Sequence, residues 1–196
     1  MSLTPRRALW AVAIAVGVLL AIAPAPALAD ASSCSTATMT QPFASWGDYN
    51  WYTLVPGQTP GNFDGAGWTL NDGARLATAT VTGGTSAIVL RLPMGSSAVS
   101  PEMCVDPNYL SARMMVRGVY GQAKLSAGVS YQTPWGWSQP APMGEAGVPS
   151  TWQPSAVFSL HPPTSGWQIA RFTLSAEGYN YGSQVYDFYI DPYGRG

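Results

Sequence analysis

Gln168-Ile169-Ala170-Arg171-Phe172-Thr173-Leu174 reads QIARFTL, and its alternation decides the fold. In an extended chain successive side chains point to opposite faces, so Ala170, Phe172 and Leu174 share one side while Ile169, Arg171 and Thr173 share the other. The run AIVLRL, residues 87–92, behaves the same way: Ile88, Leu90 and Leu92 fall together and Arg91 points away. Working outward, short runs of this kind recur between turn clusters rich in Gly and Pro. They predict strands near 67–70, 74–81, 87–92, 97–99, 112–119, 124–131, 156–160, 168–174 and 184–190. Beyond residue 30 no sustained 3.6-residue stripe competes with them. Many short strands without helices imply an all-β fold, an antiparallel two-sheet sandwich of jelly-roll type.

The N-terminus predicts export. Arg6 and Arg7 precede an apolar run, Ala8 to Ile22, and Ala27-Leu28-Ala29 offers small residues to a signal peptidase. The run is about 15 residues, short of the roughly 20 that span a bilayer. Residues 1–29 are therefore read as a secretory signal peptide. Residues 30–62 are read as an irregular segment packed on the domain, and 63–193 as the β-sandwich. Ala31-Ser32-Ser33 before Cys34 does not fit a lipoprotein signal. Loss of Arg6 and Arg7 leaves seven basic against ten acidic residues, so neither nucleic acid nor an anionic membrane is an expected partner. The expected location is extracellular.

The two cysteines, Cys34 and Cys104, are expected to pair in an oxidising compartment. Such a loop stabilises by about 4 kcal/mol in the chain-entropy model. With one histidine, His161, two cysteines cannot complete a tetrahedral zinc shell. The same inventory argues against catalysis. No G-x-S-x-G elbow occurs, and Glu102, Glu145 and Glu177 show no alternating strand spacing with another acid.

One segment, 132–150, reads QTPWGWSQPAPMGEAGVPS and is rich in Pro and Gly, which predicts a long loop. Trp135 and Trp137, two apart, can present both indoles on one side as a flat surface for sugar rings. Tyr131 and Trp152 flank the loop and extend the candidate platform. Trp46, Tyr49, Trp51 and Tyr52 form a second aromatic cluster, expected to pack the N-terminal segment onto a sheet.

PGQTPGNFDGAGWTLNDGA, residues 56–74, resembles the opening motif of galactose-binding-like β-sandwich domains, which include many carbohydrate-binding modules. VYDFYIDPYGRG, residues 185–196, resembles their closing strand. RLPMGSSAVSPEMCV, residues 91–105, resembles a strand-turn-strand of small secreted proteins of high-GC Gram-positive bacteria. The resemblance implies a structural calcium held by Asp64 and Asp187, although Phe188 stands where such domains carry a second acid. Without calcium, Asp64 caps a turn and Asp187 accepts backbone hydrogen bonds. Trp68, after Gly65 and Gly67, is expected to be a core residue that locks the first strand to the last. The sequence thus predicts a secreted, non-catalytic module that binds extracellular or cell-wall carbohydrate. The alternatives are an envelope structural or protein-interaction module without a small ligand, and a small glycan hydrolase.

Overall fold

The computed structural model describes Cys34 and residues 37–106, 110–119, 123–160, 166–177 and 182–191. The expected signal peptide, His161, and Tyr179, Tyr181 and Tyr193 lie outside the described residues.

In chain order the first strands are β1 (Thr53–Leu54), β2 (Thr69–Asn71), β3 (Arg75–Thr80), β4 (Ser86–Leu92), β5 (Ser97–Val99), β6 (Met103–Val105) and β7 (Leu110–Gly118). They are followed by β8 (Ala123–Thr133), β9 (Gly136–Trp137), β10 (Ala141–Val148), β11 (Gln153–Pro154), β12 (Phe158–Leu160), β13 (Gln168–Glu177) and β14 (Ser183–Asp191). Two sheets result. Sheet I has the order β11-β7-β14-β4-β3, with β1 on β14 and β12 on β7. Sheet II has the order β10-β8-β13-β5-β2, with β6 on β13 and β9 on β8. Every strand pairing is antiparallel. The all-β sandwich read from the alternation is the observed fold.

The alternation holds in the middle of both strands and breaks near their starts, where Ile169 is buried on the outward side of β13 and Ile88 is exposed on the inward side of β4. In β13, Ala170, Phe172 and Leu174 are fully buried between the sheets, and Arg171 and Thr173 are half-buried on the outside. In β4, Leu90 and Leu92 are buried, and so is Val89 on the opposite face. Both faces of sheet I are therefore covered at that point, one by sheet II and the other by the chain's own loops. The Cys34–Cys104 disulfide forms as expected and ties the N-terminal segment to β6.

A bulge in β14 shapes the core. Asp187 adopts a left-handed backbone, φ 52°, and the register against β7 shifts between Tyr186 and Tyr189. The extra residue resets the alternation. Phe188 turns inward to meet Phe172, ring centroids 5.5 Å apart, while Tyr186 and Tyr189 both face outward against Trp152 and Phe43. Beyond the bulge β14 exchanges β4 for β1 as its neighbour.

The segment 55–63 fills the opening. Val55 N–H donates to Phe188 O, and the Gln58 amide both accepts from Phe188 N–H and donates to Phe188 O, acting as a substitute strand residue. Gly61 N–H donates to the Asp187 carboxylate at 2.6 Å and Phe63 N–H to Ile88 O. GNFDG therefore joins β4 to β14. Trp68 is buried against Phe63 and Phe188, with its indole N–H on Pro56 O at 2.8 Å. Gly57 is required beneath it: at φ +80° an added Cβ would lie 2.2 Å from Ala66 O. The sequence expectation for Trp68 holds.

Candidate functional site

The expected loop at 132–150 is mostly strand. β8 turns at Pro134–Trp135 and returns as β9, pairing Gln132 with Trp137 and Thr133 with Gly136. Residues 141–148 then form β10, the edge of sheet II, with a bulge near Gly144. Pro and Gly are tolerated there because an edge strand leaves one row of backbone groups unpaired.

The hairpin is pinned. Thr133 Oγ1 donates to Gly136 O at 2.7 Å and accepts from Trp135 N–H. Ser138 N–H donates to Tyr131 O, and Tyr131 N–H donates to Ser138 Oγ. At the tip Trp135 is 97% exposed. Trp137 lies back over the outer face of sheet II, with the Arg171 guanidinium 4.2 Å from its ring centre. The structure adds Arg171 to the candidate site. The signal for it was already in QIARFTL, which sets Arg171 on the outward side.

The two flanking residues do not join them. Tyr131 is 3% exposed and follows Ala123, Leu125, Ala127 and Val129 on the inward face of β8. Its ring belongs to the core, its hydroxyl has no hydrogen-bond partner among the described residues, and burial pushes its pKa up to about 12. Trp152 is buried on the outer face of sheet I, edge-on to Tyr186 at 4.8 Å, beneath the Arg117 guanidinium, with its N–H on Thr80 O. The four-residue platform thus reduces to Trp135 and Trp137.

Sheet II offers these indoles a polar floor. Strand register sets Asn71, Ser97, Ser175, Ser126 and Glu145 in one row across five strands. A second row runs Thr69, Val99, Thr173, Gly128 and Pro142. Small side chains keep this face low, while hydroxyls supply both donors and acceptors. Two of the three glutamates that showed no spacing in sequence, Glu145 and Glu177, lie on this face with separate partners. Ser126 Oγ donates to Glu177 at 2.7 Å, and Lys124 lies 3.5 Å from Glu145 on the exposed face.

Asp64 and Asp187 sit at the GNFDG closure. Asp64 is exposed and accepts from the Asn62 amide. Burial raises the Asp187 pKa, against the lowering effect of the Gly61 N–H. Calcium takes six to eight oxygens. Among the described residues no three His, Cys, Asp or Glu side chains group as metal ligands, so a shell here would lean on backbone carbonyls. The hydrogen bonds that the two carboxylates make hold the turn.

No protein-family model matches the chain, and no curated protein matches it. Among solved structures it is similar to the CBM22-1–GH10 modules of endo-1,4-β-D-xylanase 10B from Clostridium thermocellum, complexed with xylohexaose. The TM-score is 0.51 at 14% identity, over 66% of this chain and 27% of that one. The chain has the jelly-roll sandwich fold of carbohydrate-binding modules. It thus spans about a quarter of the xylanase chain that it matches. The CBM22-1 xylan-binding domain of Paenibacillus barcinonensis Xyn10C gives TM-score 0.47 at 14% identity, over 66% of this chain and 88% of that one. A family 61 module in complex with β-1,4-galactotriose gives 0.45 at 15%, over 68% and 92%.

Proposed function

We propose that this protein is an exported, non-catalytic module that binds extracellular or cell-wall polysaccharide on the outer face of sheet II. One observation carries the reading: an almost fully exposed indole, Trp135, on a hairpin tip fixed by its own hydrogen bonds. Water exposure of so large an apolar ring has no folding advantage, and exposed apolar patches mark interaction sites. The ring face suits the C–H face of a sugar. Trp137, held by Arg171, provides a second indole, and the hydroxyl rows of sheet II supply hydrogen bonds along a chain lying across the strands. A rigid hairpin loses little conformational entropy on binding. Export is supported by the signal-like N-terminus and the disulfide. Among the described residues no helix is long and apolar enough to cross a membrane.

The test is retention on a panel of insoluble polysaccharides. Wild type is expected to be retained on at least one, and Trp135→Ala/Trp137→Ala to elute freely. The double variant stays folded, since Trp135 touches little and the Arg171 stack contributes about 0.5–1 kcal/mol at an exposed site. No retention on any glycan overturns the reading in favour of an envelope module without a small ligand. Reducing ends released from a retained polysaccharide, and lost in Glu145→Gln, would instead assign hydrolysis to the Glu145–Glu177 face.

A further inference from the structure

The N-terminal aromatic cluster divides in a way that its sequence did not foretell. Phe43 and Tyr52 are buried, edge-on to each other at 5.4 Å, and Phe43 continues onto Tyr189. They anchor the segment on the outer face of sheet I. Trp46, Tyr49 and Trp51, expected to help in that packing, face solvent at 45%, 69% and 40% exposure.

The three rings belong to one closed loop. Thr40 and Tyr52 exchange both backbone hydrogen bonds at 2.8 Å, which shuts residues 41–51 into an Ω-shaped excursion. Trp46 N–H and Asp48 N–H both donate to Phe43 O, and the Gln41 amide donates to Tyr49 O at 2.5 Å. Asp48 ties the loop to the sheet. Its carboxylate accepts from Asn50 N–H, from the Tyr52 hydroxyl at 2.8 Å and from Arg113 at 2.6 Å. Arg113 in turn lies over Phe43 and donates to Ser155 O.

Two consequences follow. The aromatic surface is pre-organised, so a ligand meets rings whose backbone is already fixed. The one acid in the loop is spent on Arg113, and the loop has no Lys or Arg of its own, so the surface offers no unpaired charge. Exposed Ser45 and Asn50 interleave with the rings and can hydrogen-bond. Rigid aromatic faces, neutral polar groups and no free charge match an uncharged polysaccharide better than a charged peptide or an anionic surface.

We propose that loop 41–51 is a second glycan-binding site, in which Trp46, Tyr49 and Trp51 stack on a neutral polysaccharide. For its ligand class the proposal rests on the reading given for Trp135. Loop 41–51 stands on sheet I, whereas Trp137 lies on sheet II, so the two sites occupy opposite faces of the sandwich. A single straight stretch of polymer cannot lie on both. The protein therefore bridges two chains, and avidity for a dense polysaccharide exceeds that of either site.

The test combines affinity electrophoresis and calorimetry with xylan, mixed-linked β-glucan and β-1,4-galactan, and turbidity of the same soluble polymers. Wild type is expected to bind at two sites per chain and to cross-link the polymer. Trp46→Ala/Trp51→Ala is expected to bind at one site and lose the turbidity, and Trp135→Ala/Trp137→Ala to do the same. Trp46→Phe/Trp51→Phe, which keeps flat rings, restores cross-linking and shows that a misfolded loop is not the cause. A loop variant indistinguishable from wild type, beside a hairpin variant that loses all retention, overturns this proposal and leaves the first site standing. The reverse pattern overturns the first site and keeps the loop. Absence of wild-type retention on every polymer overturns both. A dimer in sedimentation that the loop substitutions dissolve gives the surface to a second copy of the chain and also overturns the proposal.

Discussion

Replacing Tyr131 by Phe should stabilise this protein. The tyrosine occupies the inward face of β8, 3% exposed, and its hydroxyl is sealed from water without a hydrogen-bond partner among the described residues. Leaving a buried hydroxyl unsatisfied costs about 1–3 kcal/mol. Phe keeps the ring and removes only that cost, so about 1–2 kcal/mol of added stability is expected. For a chain of this size each kcal/mol moves the melting temperature by about 2–4 °C. Urea unfolding is the cleaner assay, because a higher midpoint at unchanged slope isolates stability from compactness. The alkaline limb gives a second reading. Burial raises the Tyr131 pKa from 10.0 to about 12, so the unfolded chain ionises first and the folded state loses stability as pH climbs from 10 to 12. Tyr52 and Tyr189, also raised to about 12 and led by burial, add to that loss. The Phe variant should lose less over the same interval. A variant that is less stable than wild type, with an unchanged alkaline limb, would show that the hydroxyl has a partner and refute the reasoning. Glycan retention should be unchanged, because the ring does not reach the surface.

Two further perturbations address the closure between β4 and β14. Gly57→Ala forces a left-handed φ of +80° and puts Cβ 2.2 Å from a backbone oxygen and 2.7 Å from Trp68 Cδ1, so the Trp68 anchor must move. Backbone strain and overpacking together predict about 2–5 kcal/mol of destabilisation, and a urea midpoint within about 1 kcal/mol of wild type would contradict it. Asp187→Asn keeps an acceptor for Gly61 N–H and a residue type that tolerates φ 52°. Because burial raises the Asp187 pKa above 3.8, the wild-type chain gains stability from this group on acidification and loses it as pH rises through the folded pKa. The Asn variant should be more stable at neutral pH and lack that gain. Melts with millimolar calcium or EDTA test the metal in the same samples: a calcium-dependent rise confined to wild type would assign Asp187 to an ion.

The sequence exposed the sheets more clearly than the site, and the reason is periodic order. All nine strands read from alternation exist, since a half-buried strand writes its burial into every second residue. Those it missed are short or lie at edges. β10 hides behind Pro142, Gly144 and Gly147, and β11 contains Pro154, because an edge tolerates residues that a central strand excludes. Tyr131 was legible by the same parity that places Leu125, Ala127 and Val129 inward, yet its nearness to Trp135 in sequence suggested a shared surface. Trp152 was not legible. Its position depends on contacts with Thr80, Arg117 and Tyr186, all distant along the chain. Loop 41–51 carries no period at all, so nothing local separates the rings that anchor, Phe43 and Tyr52, from those that face solvent.

The two outer faces of the sandwich explain why the aromatic surfaces sit where they do. Sheet I is covered in part: Trp152 packs on Tyr186 beneath the Arg117 guanidinium, and the N-terminal segment packs on Tyr189 with Arg113 over Phe43. Its outward residues can therefore be large and apolar, as Val89, Met115 and Tyr189 are, without meeting water. Among the described residues sheet II has no such cover over its central rows, and its outward residues there are mostly small and polar, Ser97, Ser126, Gly128, Thr173 and Ser175, with Val99 and Pro142 among them. A bare face of small hydroxyls is stable in water but grips an apolar surface poorly. Under the proposed function the aromatic edge that holds a sugar ring is β9, which lays Trp137 on Arg171 and lifts Trp135 beyond it. Where the N-terminal segment and Trp152 lie on sheet I, the sheet itself is not accessible. A ligand there is met by the covering chain itself, and that is where loop 41–51 turns three rings outward while Phe43, and Tyr52 at its closure, hold it down.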